Sequence, residues 1–267
     1  MNPRERTERT DPWSLYRTLI EDVPDGPCVR DYCLGTHWSY VEADCGMGVS
    51  FTCRGGARGR EARDLRGLPL REAARLSMSW RFEEATLGVA ALNAYYAQRS
   101  LLDGLGASYD DPIELPDDAI RKMDAFELHR PRIEASASKN VVVVGHFPHA
   151  ERIAEYANLT VLERNCAHDL DTPDPACEYV LPGADFAFFT GVTLINKTAP
   201  RLLELASSAE TVLVGPSVVM SPALFEHGAD VLAGSVVADP EKVRFAVKNG
   251  TGRFFGEALA MASLSRL

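Results

Sequence analysis

Lys197 stands in a run of hydroxyl and amide residues: Thr190-Gly191, then Thr193, then Asn196-Lys197-Thr198. The run follows the apolar segment Phe186-Ala187-Phe188-Phe189 and leads into a stretch of helical spacing. Free N–H groups and the positive dipole end of a helix favour an anion at such a place. The chemistry indicated is capture of an anionic group by Lys197, with the neighbouring hydroxyls and amide as further partners. The plainer alternative is a helix capped by Thr198 with Lys197 in solvent. Two earlier apolar runs end in the same manner. Val141 to Val144 leads into Gly145-His146-Phe147-Pro148, and Thr160-Val161-Leu162 leads into Glu163-Arg164-Asn165. A fourth strand end, Gly215-Pro216-Ser217, aims Ser217 at the same crevice.

Glu163 comes 18 residues after Gly145, close to where a dinucleotide-binding sheet places the acid that meets ribose hydroxyls. It reads equally as a helix cap or loop anchor. Gly145 lacks the companions of a G-x-G-x-x-G turn, so a standard dinucleotide site is unsupported. A metal reading uses His146 with Cys166 and His168, which follow the second run, and has His149 and Asp169 nearby. If those strands are neighbours, the nitrogen and sulfur donors converge on one divalent ion such as zinc. The other reading of these residues is structural. There is no G-x-S-x-G, and no Ser, His and acid set stands out by position. Glu83 and Glu84 open an alanine-rich helix, where carboxylates suit the positive dipole end, with a pocket role as the sharper alternative.

These residues need elements that bring strand ends together. Short continuous apolar runs are what strands buried on both faces look like. The spacing predicts strands at 141 to 144, 159 to 162, 186 to 189, 211 to 214 and 230 to 232. Helices are predicted at 148 to 157, 198 to 207, 221 to 227 and 239 to 248. That alternation implies right-handed crossovers and a doubly wound parallel sheet of α/β class, whose ligands bind at the carboxyl edge. The amino-terminal part, 1 to 108, reads as a smaller α+β unit. Asp11-Pro12 is the predicted cap and first turn of a helix, Trp38 to Ala43 and Val49 to Cys53 a hairpin, and Leu70 to Leu76 and Phe82 to Tyr96 helices. The acidic, proline-bearing segment 109 to 118 reads as a linker. Beyond it lies the second unit, 119 to 267, opening with a helix at 119 to 128 and a polar approach at 131 to 140.

Composition narrows the partners. Acidic residues outnumber Lys and Arg by 38 to 28, for a net charge of -10 in 267 residues. Nucleic acid is therefore not an expected partner, and the arginines between Arg54 and Arg75 read as solvated. No apolar run reaches membrane-spanning length, so no membrane partner is expected. Met1 to Thr10 is charged and reads as a cytoplasmic start. None of the six cysteines has C-x-x-C spacing, and reduced thiols are expected. A homodimer is the expected assembly.

The words Val144-Gly145-His146-Phe147-Pro148, Leu162-Glu163-Arg164-Asn165, Thr190-Gly191, Leu194-Ile195-Asn196-Lys197-Thr198 and Val214-Gly215-Pro216-Ser217 occur in one order, followed by Asp230-Val231-Leu232-Ala233-Gly234. Together they closely resemble the putative heavy-metal-chelation domain family, a Rossmann-like domain. Ser79-Trp80 through Glu84-Ala85, Gly88 and Ala91-Leu92-Asn93-Ala94 resembles its usual partner, a small domain of enolase-amino-terminal-like fold. The resemblance covers about residues 30 to 260. It implies a site in the crevice between the two domains, lined by Gly145, Phe147, Glu163, Asn165, Thr190, Asn196, Lys197 and Ser217 and faced by Glu84 and Asn93. The ligand so implied is a metal ion or a metal-chelating anionic small molecule. The alternative from the residues themselves is an enzyme holding a nucleotide-like or pterin-like ligand. The chain departs from the family pattern at Arg81, which adds positive charge, and at Cys166, which adds a thiol.

Overall fold

Leu15, Tyr16, Leu19 and Ile20 recur at helical spacing, and α1 (Ser14–Glu21) buries all four. Its start differs from expectation. Trp13 holds the cap position, while Asp11 accepts the Trp13 N–H at 3.0 Å and pairs with Arg17. The computed structural model describes residues 11–58, 63–110, 122–252 and 255–266.

After α1 comes an antiparallel meander of β1 (Val29–Leu34), β2 (Trp38–Ala43) and β3 (Gly46–Phe51). The expected hairpin is β2 and β3, but its second arm starts at Gly46 rather than Val49 and ends at Phe51, with the turn confined to Asp44-Cys45. β1 is an additional strand whose middle residues are only half-buried, so its sequence carries a weak apolar pattern. Next come α2 (Leu70–Ala74), a single 3-10 turn, and α3 (Phe82–Tyr96), which has the bounds its spacing predicts. Every residue from Ala85 to Ala94 is buried, because α3 lies across β2 and β3 on one side and meets the large lobe on the other. The opposite face of the meander packs Trp38, Tyr40, Met47 and Val49 on Val243, Val247 and Leu259. The small sheet is thus enclosed by the second lobe. A short α4 (Arg99–Gly104) completes this part.

The large sheet contains β4 (Ser108–Tyr109), β5 (Asn140–Val144), β6 (Asn158–Glu163), β7 (Asp171–Pro173), β8 (Phe186–Thr190), β9 (Glu210–Val214), β10 (Val231–Val237) and β11 (Leu259–Ser265). Their order is β4-β11-β10-β9-β8-β5-β6-β7. From β10 to β7 every pairing is parallel, and β11 and β4 add antiparallel strands at one edge. Numbered from β5, the parallel strands run 3-2-1-4-5-6, the Rossmann order. The large lobe is therefore a Rossmann-like doubly wound sheet beside a smaller antiparallel unit.

Its helices are α5 (Ala125–Ala135), α6 (Cys177–Val180), α7 (Val192–Ile195), α8 (Ala199–Leu205), α9 (Ala223–Glu226), α10 (Pro240–Lys248) and α11 (Phe255–Ala258). α5 departs from the sequence reading. The Asp124 carboxylate accepts the Phe126 and Glu127 N–H groups and starts it late, and it continues through Pro131 to Ala135. Burial of Phe126, His129 and Ile133 holds the helix across its proline. The helix expected at 148 to 157 is a 3-10 segment, Ala150–Glu155, and β10 runs past 232 to Val237 because β11 pairs with its whole length. Of the segment expected as a linker, Tyr109 pairs with Ala262 and the Asp110 N–H bonds the Met261 carbonyl, while the rest lies outside the described residues. No helix among the described residues is long and apolar enough to cross a membrane.

Candidate functional site

The crossovers leaving β5 and β8 run to opposite sides of the sheet, which opens a crevice at their carboxyl ends. A cavity of about 730 Å³ lies there, closed from above by the end of β3 in the small lobe. Gly145, His146, Glu163, Asn165, Thr190, Thr193, Asn196, Lys197 and Thr198 line it. Two glycines make this packing feasible. Gly145 has φ of +101°, and a Cβ there would stand 2.9 Å from Thr190 Cγ2. A Cβ on Gly191 would stand 2.4 Å from the Ser217 backbone, so the loops after β8 and β9 touch only because Gly191 has no side chain.

Lys197 has φ of +70°, a left-handed conformation that costs a residue with a side chain roughly 1 kcal/mol. Asn196 Oδ1 holds this turn by accepting the Thr198 N–H at 3.1 Å and its hydroxyl at 2.7 Å. Thr198 thus occupies the cap position of α8, but its hydroxyl serves the turn and makes no cap bond to α8. The Thr193 hydroxyl donates to the Thr190 carbonyl at 2.7 Å. The bent backbone brings Lys197 Nζ to donate to the Ile195 carbonyl at 2.6 Å, 5.7 Å from the Tyr16 ring centre. Among the described residues no carboxylate comes within ion-pair reach of it. Burial pushes its pKa down to about 8, opposed by neighbouring Cys53. Burial also pushes the Cys53 thiol up to about 11, against the pull of Arg164 and Lys197, so this cysteine stays a neutral thiol.

At the end of β6, Glu163 Oε2 accepts the Arg164 N–H at 2.9 Å, and Arg164 reaches Asp174 at 3.1 Å. Cys166 is exposed, with Sγ 3.7 Å from the Glu163 carbonyl. The His146 and His168 rings stack at 4.1 Å and 17°. Lone pairs lie in the ring planes, so stacked imidazoles hold them in nearly parallel planes that do not meet at one ion. Among the described residues no three His, Cys, Asp or Glu side chains are gathered to hold a metal ion. Asp171 Oδ2 accepts the Ala167 and His168 N–H groups at 2.8 and 2.9 Å. Its Oδ1 lies 3.4 Å from His146 Nδ1. The Ala167 N–H is the leading cause that lowers the Asp171 pKa.

Other expected residues are not on the cavity wall, and two of them, Ser217 and Asn93, sit at the joint between lobes. Ser217 accepts the Phe51 N–H at 2.8 Å, and Asn93 Nδ2 donates to the carbonyls of Val49 and Pro216 at 3.0 and 3.3 Å. Glu84 accepts from Ser79 Oγ at 2.6 Å and from Arg81 at 2.7 Å. Phe147 packs on Phe126 beneath Gly145 and Gly215. Sequence reasoning passed over Cys53, Arg54 and Cys177, which line the cavity, and Asp171. Nothing local marks them, because they reach the site through the lobe packing and through β7.

Residues 127–260 match a family model described as "Putative heavy-metal chelation", and residues 16–96 match a second model with the same description. This chain belongs to that family. A protein with unknown function of the DUF364 family from Desulfitobacterium hafniense is 31% identical, over 96% of this chain and 98% of that one, with a TM-score of 0.80. Another from Pyrococcus horikoshii has 21% identity, 94% and 98% coverage and a TM-score of 0.74, a likeness of fold. An uncharacterized protein of Methanocaldococcus jannaschii is 29% identical over 243 residues, 86% of each chain. In this member of the heavy-metal-chelation family, one matched region runs from within α1 to the end of α3 and the other from α5 into β11. The crevice lies between them.

Proposed function

We propose that this protein binds a small anionic metal chelate in the crevice between its lobes. The observation that carries the reading is Lys197, a half-buried ammonium facing a cavity of about 730 Å³ with no acidic partner among the described residues. A cation kept out of water without a counter-ion is costly unless a ligand neutralises it. Thr190, Thr193 and Asn196 supply neutral partners around it, and the left-handed backbone at Lys197 is strain of the kind that binding sites retain. The family description supports chelation as the general role. The donors on the wall fit a metal that arrives already held by a chelator, which supplies the charge and most of the coordination. The chain's own residues neutralise the chelator's carboxylates and exclude water. Titration calorimetry with citrate or nitrilotriacetate, free and metal-loaded, tests the reading: binding lost in Lys197→Ala supports it, and binding retained there overturns it.

A second reading is favoured by one observation. Glu163 ends the second strand of a 3-2-1-4-5-6 sheet, where such an acid meets the hydroxyls of a nucleotide-like ligand. A pterin-like ring would use the same carboxylate. A melting-temperature scan across nucleotides and pterins separates the readings, since a ligand at a hundred times its dissociation constant stabilises by about 2.7 kcal/mol.

A further inference from the structure

We infer that His146 Nε2 is the donor this chain offers to the metal of the bound chelate, and that Asp171 is the residue that positions it. The cargo is then a transition-metal chelate with one open coordination position. The inference rests on reading the crevice as a chelate site and adds how the metal itself is recognised.

Asp171 has a side chain only 1% exposed. Its Oδ2 is fixed by two backbone N–H groups, while its Oδ1 has no hydrogen-bond partner and faces His146 Nδ1 at 3.4 Å. That separation is longer than a formed N–H···O bond, and a small rotation of the ring closes it. A buried carboxylate oxygen left open in front of an imidazole selects the tautomer with hydrogen on Nδ1 and the lone pair on Nε2. A carboxylate behind a histidine is the usual outer partner of a metal-binding imidazole, fixing its orientation and raising its basicity. The His146 side chain is 41% exposed and lines the crevice, and nothing among the described residues occupies Nε2. The stack on His168 holds the ring plane and directs the second imidazole away from any shared ion. One nitrogen is too few to hold a bare ion, so the remaining ligands must come with the cargo. Lys197 and Arg54, on the same cavity wall, provide the charge for a chelator's carboxylates.

Cu(II)-nitrilotriacetate is a suitable probe, anionic and able to accept one imidazole nitrogen. Its binding is measured by titration and by electron paramagnetic resonance on the full chain and on His146→Ala, Asp171→Asn and His227→Ala, each checked by circular dichroism. The parent is expected to show the splitting of one imidazole nitrogen. His146→Ala should lose that splitting and bind at least about 10-fold more weakly, and Asp171→Asn, whose amide oxygen still serves the backbone N–H groups, about 10-fold more weakly. His227→Ala, at the opposite edge of the sheet, should match the parent. Equal binding and splitting in parent and His146→Ala would overturn the assignment as capture by another histidine. Metal-free nitrilotriacetate, measured in parallel, separates the levels. If it binds through Lys197 while the His146 variants behave as the parent, only the inference fails. If neither form binds, the chelate reading fails and the inference with it.

Discussion

At the amino edge of the large sheet a groove of about 1170 Å³ runs along α8 and past the starts of β9 and β10, while the crevice at the carboxyl edge has about 730 Å³. The charges of the groove answer one another: Arg201 binds Glu178 and Glu204, and Arg132 pairs with Glu210, which also lies 3.4 Å from His129. In the crevice Arg164 and Asp174 pair as well, but other groups are left open: Lys197 has only a carbonyl and a left-handed backbone, and Asp171 Oδ1 waits before His146. Unmet polar groups and retained strain, rather than volume, are what favour the crevice as the candidate site. The ion pairs of the larger depression stand in solvent, where such pairs contribute little.

The largest effect is expected for Gly191→Val, whose added carbons collide with the Ser217 and Val218 backbone; urea denaturation should show a loss of about 3 kcal/mol. Lys197→Ala should weaken chelate binding by about 30-fold, roughly 2 kcal/mol, while Arg132→Ala in the groove leaves it unchanged; calorimetry on both variants checks the contrast. In the parent, binding of metal-free citrate should be full near pH 7, because the ammonium is then intact. It should fall above pH 8 as the amine loses its proton, by about 30-fold in all, and a flat profile from pH 7 to 10 would remove Lys197 from the site. Ser217→Ala leaves the half-buried Phe51 N–H without its acceptor and should cost about 1 kcal/mol in thermal unfolding. Least affected is Gly183→Ala at the amino edge, where a Cβ meets nothing within 4 Å; its stability should stay within about 0.5 kcal/mol of the parent.

Local pattern accounts for what could be read early. The runs at Val141, Phe186 and Thr211 are continuous because their strands are covered on both faces, and that is visible in any window of sequence. β7 and β1 escaped notice because a three-residue strand and a half-buried strand leave no period to detect. α5 ran past its expected end because packing of Ile133 outweighs the local objection of Pro131. Among the site residues, Lys197, Thr190 and Asn196 announced themselves by type at a strand end. Cys53 and Arg54 did not, since a residue at the end of a hairpin says nothing about which lobe will close over it.

Burial period and strand-end polarity are properties of neighbouring residues, so the class of sheet, the position of most parallel strands and the gathering of polar residues at the carboxyl edge are legible in the sequence. That Asp171 stands before His146, that His146 and His168 stack instead of converging, and that Asn93 and Ser217 join the lobes is visible only in the folded chain. These depend on contacts between residues far apart in the chain, fixed by how whole elements pack, and no local spacing encodes the distance or angle at which two side chains finally meet.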